Sequence, residues 1–418
     1  MKRVVVTGIG AVSPLGDSFK TSWKAAKAGL SGIAPITRFN ASEIKWKVAG
    51  EVKGFDPESY LSQKEIGHLD PFVHYAVAAS FMAVEDAKLA RKSDPPLPPF
   101  TQTLTSGLLA SAGVIIGSSR GGISTIEKSL ISLKGLNSSR LSPYLMPSTS
   151  IGMAASYVAQ RMGIKGYCLG ISNACASGAN AIGEAYRLLR SGYTGPVLAG
   201  GTEAPICRLC IEGYGVSGAL SRVDDYSASR PFDITRDGFV LAEGACILVL
   251  EDYENALKRG ARIYGEIIGY GNTADAFHQT RPSPEGEIRA MNLAIKEAGL
   301  SPEDVDYISA HATSTPLGDK AETDAIKIAF GKMAYKIPIN SVKSMSGHML
   351  SASGAFEAAI TLMSISEGII TPTINLTKRD PECDLNYITE PKKADIRTAI
   401  SNSFGFGGVN AVLVFRRV

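Results

Sequence analysis

The chain has 418 residues, with 43 Lys and Arg against 40 Asp and Glu, a formal net charge of +3, and only 20% charged residues. A balance this close to neutral, without a basic run interleaved with aromatics, argues against a nucleic-acid surface, and the length allows one large or two fused α/β domains. Six cysteines in so long a chain make no disulfide framework, and no stretch reaches the roughly 18 apolar residues of a membrane span, so a soluble, cytoplasmic protein is expected.

The apolar start Val4-Val5-Val6, cut by Gly8 and Gly10, reads as a buried first strand and not as a signal peptide. Ser18 to Ala28 has helical spacing, stopped by Gly29 and Gly32, and residues 70–90 read as an amphipathic helix with Val73, Val77, Phe81 and Val84 on one face. Residues 91–108, with Pro95-Pro96-Leu97-Pro98-Pro99, read as an extended insertion of no assigned role, directly before a strand at 113–117. The apolar run Tyr167 to Ile171 then leads into Gly170-Ile171-Ser172-Asn173-Ala174-Cys175-Ala176-Ser177-Gly178. A helix marked by Ala179, Ile182, Tyr186 and Leu189 follows, and Gly192 stops it. Further strands fall at 196–201 and 242–250. Between them, Cys207-Arg208-Leu209-Cys210 has neither a second pair nor a nearby histidine, which argues against zinc; a redox pair is the weaker reading and two incidental cysteines the favoured one.

From about Ala261 the alternation repeats. A strand at 264–270 ends in Gly271, a helix places Ile288, Met291, Ile295 and Ala298 on one face, and Ser301-Pro302-Glu303-Asp304 has the form of a helix start. A strand at 305–310 then runs into His311. Two units are expected, 1–257 with Cys175 and 258–418 with two histidines and a lysine, packed as similar α/β halves.

Cys175 sits where a strand turns into a helix. Its small neighbours let the backbone turn sharply, and a helix N-terminus favours a thiolate, so it reads either as a nucleophile or as a small buried hydrophobe. Three clusters in the second half fall at strand ends: His311 to Asp319 (HATSTPLGD), Val342 to His348 (VKSMSGH) and Asn402 to Gly408 (NSFGFGG). Residues past strand C-termini line the crevice of an open α/β sheet, so a thiol, two imidazoles and an ammonium are expected in one cleft.

These motifs resemble the signatures of elongating type II β-ketoacyl-[acyl-carrier-protein] synthases, the decarboxylating condensing enzymes of the thiolase fold. The likeness runs from the VVVTGIG start through Ser229-Arg230-Pro231-Phe232-Asp233 to the last strand. It implies a five-layered αβαβα fold and a dimer. It implies an acyl group carried on Cys175, with His311 and His348 donating to the enolate of decarboxylated malonyl-carrier protein. The oxyanion donors would be the backbone N–H groups of Cys175 and Phe406, with Phe406 and Phe404 at the gate. Lys343 would order the His348 region with Glu322 and Glu357 as acidic partners, and Thr313 and Thr315 would contact the pantetheine arm. No resident cofactor or metal is implied, because phosphopantetheine enters on the acyl carrier protein.

The chain departs from that pattern at several positions. Asn173 stands where threonine is usual, Ala312 where glycine is commoner, and Gly218 where arginine is usual. Arg120 aligns with an apolar lining residue of the acyl pocket, which leaves either a shortened, partly polar pocket or a side chain turned outward. At the carrier-docking surface only Lys64 keeps its charge, with Arg208 as a candidate compensator. A ketosynthase of a polyketide or polyene pathway with its own carrier therefore stands as an alternative. A non-catalytic chain-length-factor-like subunit is a second, opposed by Cys175 and both histidines. A degradative thiolase would need a cysteine in the last loop, and NSFGFGG has none.

Overall fold

The computed structural model describes residues 2–89, 107–134 and 141–418, so the proline-rich excursion at 91–108 lies outside it apart from its last two residues. Ten strands form one large sheet: β1 (Val4–Val12), β2 (Gly113–Gly117), β3 (Cys168–Ile171), β4 (Val197–Glu203), β5 (Gly244–Asp252), β6 (Gly265–Ala274), β7 (Tyr307–Ser309), β8 (Ile339–Asn340), β9 (Thr398–Gly405) and β10 (Val409–Arg416). Their order is β8-β7-β9-β10-β6-β1-β5-β4-β2-β3. It divides into two sets of five, the first from the second half of the chain and the second from the first half. The sets join where Val4–Val6 of β1 pair antiparallel with Gly265–Ile267 of β6.

Two helices are sandwiched between the halves. The helix Ser177–Arg190 packs against β4 and β2, and the helix Ser351–Glu367 packs against β5, β4, β9 and its neighbour helix. Nearly every residue of Ser351–Glu367 is buried, as an all-round apolar sequence requires. Close approach is enforced by glycine: a Cβ on Gly178 would stand 2.2 Å from the Ser351 carbonyl oxygen.

Local expectations need correction in three places. The helix over 70–90 spans Pro71–Asp86 and is buried on almost every side from Phe72 to Ser80, not amphipathic, because β1 and the helix Met153–Met162 cover it from different directions. Ser301 caps only a 3-10 turn, Pro302–Asp304, since β7 follows at Tyr307. The strand ending at Gly271 continues to Ala274, paired with β10 throughout. The apolar run into Cys175 forms β3, the edge of the sheet, with Cys168 and Leu169 exposed.

Candidate active site

The turn between β3 and the helix Ser177–Arg190 is built by its own side chains. Ser177 Oγ accepts the Asn173 N–H at 2.8 Å and donates to the Ala174 carbonyl at 2.6 Å, closing a loop in which Ala174 adopts φ +46°. Asn173 also donates through Nδ2 to Asn180 Oδ1, and Asn180 Nδ2 donates to Tyr270 Oη at 2.7 Å, so this departure ties the turn to β6. Cys175 is thereby held beside the turn after β9, and the Phe406 N–H donates to its Sγ. Burial pushes the thiol up to about 11, although Lys343, the Phe406 N–H and Arg120 pull the other way. The thiolate expected at a helix tip is therefore not the resting form, because loss of water outweighs the local positive potential.

His311 and His348 lie edge to face, ring centroids 5.4 Å apart, and both line the cavity that also holds Cys175. The loop carrying His311 is fixed by Glu322, whose two oxygens accept the His311 and Ala312 N–H groups at 2.8 and 2.7 Å. His348 is fixed by Val240, whose carbonyl accepts its N–H at 2.7 Å. Burial holds both imidazoles well below their ordinary range, reinforced by the Lys343 ammonium, so both are neutral at pH 7.

The hydrogen bonds set their tautomers. Lys343 Nζ stands 3.4 Å from His311 Nδ1, which as the neighbour of an ammonium is an acceptor. Ser353 Oγ accepts the Met349 N–H and keeps its own proton for His348 Nδ1, 3.1 Å away. Each ring thus carries its proton on Nε2, and His348 Nε2 is buried with no partner among the described residues. Two neutral N–H donors therefore face one cavity.

Lys343 is wholly buried and forms an ion pair with Glu357. Contrary to expectation its direct contact is with His311, donating to that residue's carbonyl at 2.6 Å, and it reaches His348 only through its field. Burial raises Glu357 to about 7, with Lys343 opposing. Glu322 feels the lysine ammonium only through its field: its direct bonds hold the His311 loop and accept Asn402 Nδ2 at 2.9 Å.

The cavity, about 360 Å³, is also lined by Thr313, Thr315, Phe404 and Phe406. The two threonine hydroxyls are 3.1 Å apart, and Thr315 caps the helix Pro316–Phe330. Phe404 packs 5.9 Å from His311. Gly407 and Gly408 both have positive φ, and the turn they make is tied down from outside: Gly407 N–H donates to the Gln279 carbonyl, and Asn410 Nδ2 to Asp275 Oδ1, each at 2.7 Å.

Arg120 is not in the cavity wall. It is exposed, its Nε donates to Tyr214 Oη at 2.8 Å, and Tyr214 forms the wall in its place, its ring 6.5 Å from Phe406. The predicted cost of a guanidinium in the pocket is thus avoided by keeping the charge behind a phenol. Lys64 and Arg208 lie outside the cavity as well, and Arg208 is compensated by Glu212 at 2.5 Å and Glu43 at 3.8 Å. Gly218 sits at the cavity rim with φ +77°, a conformation that explains glycine where arginine is usual.

Sequence reasoning missed the Asp275–Pro282 segment, Tyr214, Ser353 and Glu287. Glu287 lines the cavity fully buried, its Oε2 unpartnered among the described residues, and burial with Glu322 and Asp275 nearby pushes its carboxyl well above the usual range. Its only sequence signal is an acid beside the apolar face of its helix, too common a pattern to single out.

Residues 1–256 match the family model "Beta-ketoacyl synthase, N-terminal domain" and residues 264–377 match "Beta-ketoacyl synthase, C-terminal domain". The chain is 46% identical to 3-oxoacyl-[acyl-carrier-protein] synthase 2 of Synechocystis sp., covering 100% of this chain and 98% of that protein. It is 44% identical to the protein of the same name from Staphylococcus aureus (strain COL), with the same coverage. Among solved structures, a β-ketoacyl synthase from Burkholderia phymatum aligns over all of both chains with a TM-score of 0.90 at 35% identity. A type II polyketide ketosynthase, bound to a hexaketide and in complex with its acyl-carrier protein, aligns over all of both chains with a TM-score of 0.88 at 34%.

Proposed function

Because the chain belongs to the β-ketoacyl synthase family, we propose that it performs the decarboxylating Claisen condensation of fatty-acid elongation, joining an acyl group on Cys175 to malonyl-acyl-carrier protein. One observation carries this reading: Cys175 and two neutral imidazoles share one cavity, with the Phe406 N–H already on the sulfur.

The Cys175 sulfur attacks the acyl thioester of the pantetheine arm. The oxygen of the tetrahedral intermediate is received by the Cys175 and Phe406 N–H groups, and pantetheine leaves as the thiol with the cysteine's proton. Malonyl thioester enters next and loses CO2. The electron pair becomes an enolate whose oxygen faces the Nε2–H groups of His311 and His348. Its carbon attacks acyl-Cys175, a C–C bond forms, the C–S bond breaks and Cys175 is regenerated with a proton from water. Lys343 acts here as a positioning residue, holding His311 in the donor tautomer. On this reading Phe406 and Phe404, both in the cavity lining, gate the acyl side from the malonyl side, and Thr313 and Thr315 in the same lining suit the amides of the pantetheine arm. The scheme requires no resident cofactor or metal.

The partner is read as an acyl carrier protein, with Lys64 and Arg208 as docking charges, and the working unit as a homodimer of two-part chains (1–257 and 258–418). The 44–46% identity to 3-oxoacyl-[acyl-carrier-protein] synthases over the full chain favours elongation over a specialised pathway. Intact-mass measurement with acyl-carrier proteins tests the reading: one acyl group should be retained per chain, and the adduct should vanish in Cys175→Ala. Retention in that variant would place the acyl group elsewhere and overturn it.

A further inference from the structure

We propose that Cys207 and Cys210 form a reversible disulfide, whose closure pins the first turn of the helix that walls the acyl side of the active-site cavity. Cys207 is the N-cap of the helix Arg208–Val216, in extended conformation (φ −139°, ψ 162°), and Cys210 lies in its first turn. This placement brings the two thiols into hydrogen-bond contact inside the protein, with both residues nearly buried. A three-residue step at a helix start is a spacing at which two sulfurs can join with little backbone movement.

The two thiols are unequal in both chemistry and access. The Cys210 thiol donates to the Cys207 sulfur and holds the Cys207 thiol below its usual range against the opposing effect of burial, while Cys210 is raised. Of the two, only Cys207 opens to a second cavity, about 110 Å³, whose wall includes Arg38 and Lys128 and the acids Glu127 and Glu243. That cavity does not include Cys175, so the two thiol chemistries have separate entrances. The entrance is charge-balanced, with Arg38 held by Glu243 and Lys128 facing the same cavity as Glu127, so it sets no charge on the oxidant, which is a low-molecular-weight disulfide of the glutathione type. Cys207 as thiolate attacks that disulfide, a protein–small-molecule S–S bond forms and one small thiolate leaves. Cys210 then attacks the Cys207 sulfur and the second small thiolate leaves. The two protons lost by the cysteines end on the two released thiols.

The consequence runs along the helix. Tyr214, one turn beyond Cys210, forms the cavity wall and holds Arg120, and Ser217 and Gly218 continue that wall. Pinning the first turn therefore constrains the surface against which the acyl chain packs. This last step rests on the condensing reading above; formation of the disulfide does not.

The test is oxidation of the full chain in glutathione buffers, quenching by alkylation and tryptic mapping. Trypsin cuts after Arg208, so the disulfide appears as two peptides joined through Cys207 and Cys210, lighter than the dithiol by about 2 mass units, the two lost hydrogens. Cys210→Ser should accumulate the mixed disulfide on Cys207, and Cys207→Ser should leave Cys210 largely unmodified. Acyl loading of Cys175 should slow severalfold on oxidation and recover with dithiothreitol in the wild type, but not respond in Cys210→Ser. Independent alkylation of both cysteines at every glutathione ratio in the wild type overturns the proposal. Linked peptides with an unchanged loading rate overturn its coupling to the active site alone.

Discussion

At the scale of single residues, the site is governed by burial more than by local charge. Cys175 has a helix N-terminus ahead of it, a lysine within its field and an N–H on its sulfur, yet removal of water raises the thiol to about 11. The sign follows directly: below that value the neutral thiol dominates, and the thiolate fraction grows about tenfold per pH unit as the value is approached from below. Alkylation of Cys175 by iodoacetamide should therefore climb steadily through pH 8 to 10, and a plateau setting in near pH 7 would contradict this account. The same burial keeps His311 and His348 neutral, so protonating them should not limit condensation until the pH falls well below 6.5, the ordinary imidazole value. Lys343 is the exception, a buried cation stabilised only because Glu357 and the His311 carbonyl meet it. Substituting Lys343→Met should cost about 3–5 kcal/mol by leaving Glu357 unpaired. A urea midpoint unchanged from wild type would show that the pair carries no such stability.

At the scale of elements, the catalytic groups come from ends and turns: a strand-to-helix turn for Cys175, the loop after β7 for His311, and the β9–β10 turn for Phe406. That placement was legible because period and punctuation mark strand ends locally, and the short motifs there are dense in small and polar residues. The support of those turns was not legible, since it depends on contacts far apart in the chain. Asp275 is the clearest case. It accepts Asn410 Nδ2 on one oxygen and the Ser283 N–H at 3.0 Å on the other, and its own N–H donates to the Gly408 carbonyl at 2.7 Å. An acid in a polar stretch carries no sign of this. Asp275→Ala should loosen the turn that presents the Phe406 N–H and lower the condensation rate by up to about 10²-fold, the lower end of what losing one oxyanion donor costs. Folding should be retained, because this residue lies outside the three main apolar clusters. A variant with wild-type turnover would remove Asp275 from the account. Similarly, the helix Pro71–Asp86 was misread because apolar spacing reports one covered face and cannot report that neighbours cover the others.

At the scale of the molecule, the two five-stranded sets meet at a seam of three residue pairs, so cohesion between halves comes mainly from the buried helices between them. The other sheet end is different. There β3, which leads into the Cys175 turn, pairs among the described residues only with β2, its far edge meeting none of them, with Tyr167 and Leu169 exposed beside it. An apolar edge strand left open invites pairing with another strand, and uncontrolled pairing of this kind would aggregate the protein. A second copy meeting β3 edge to edge around a two-fold axis would satisfy those backbone groups and close the assembly at two chains. Light scattering should accordingly give twice the chain mass across the micromolar range, and Leu169→Lys should shift the population toward single chains. Because β3 anchors the Cys175 turn, the separated variant should also load acyl groups more slowly. A wild-type chain that remains single at high concentration would mean that the open edge is protected by some other means.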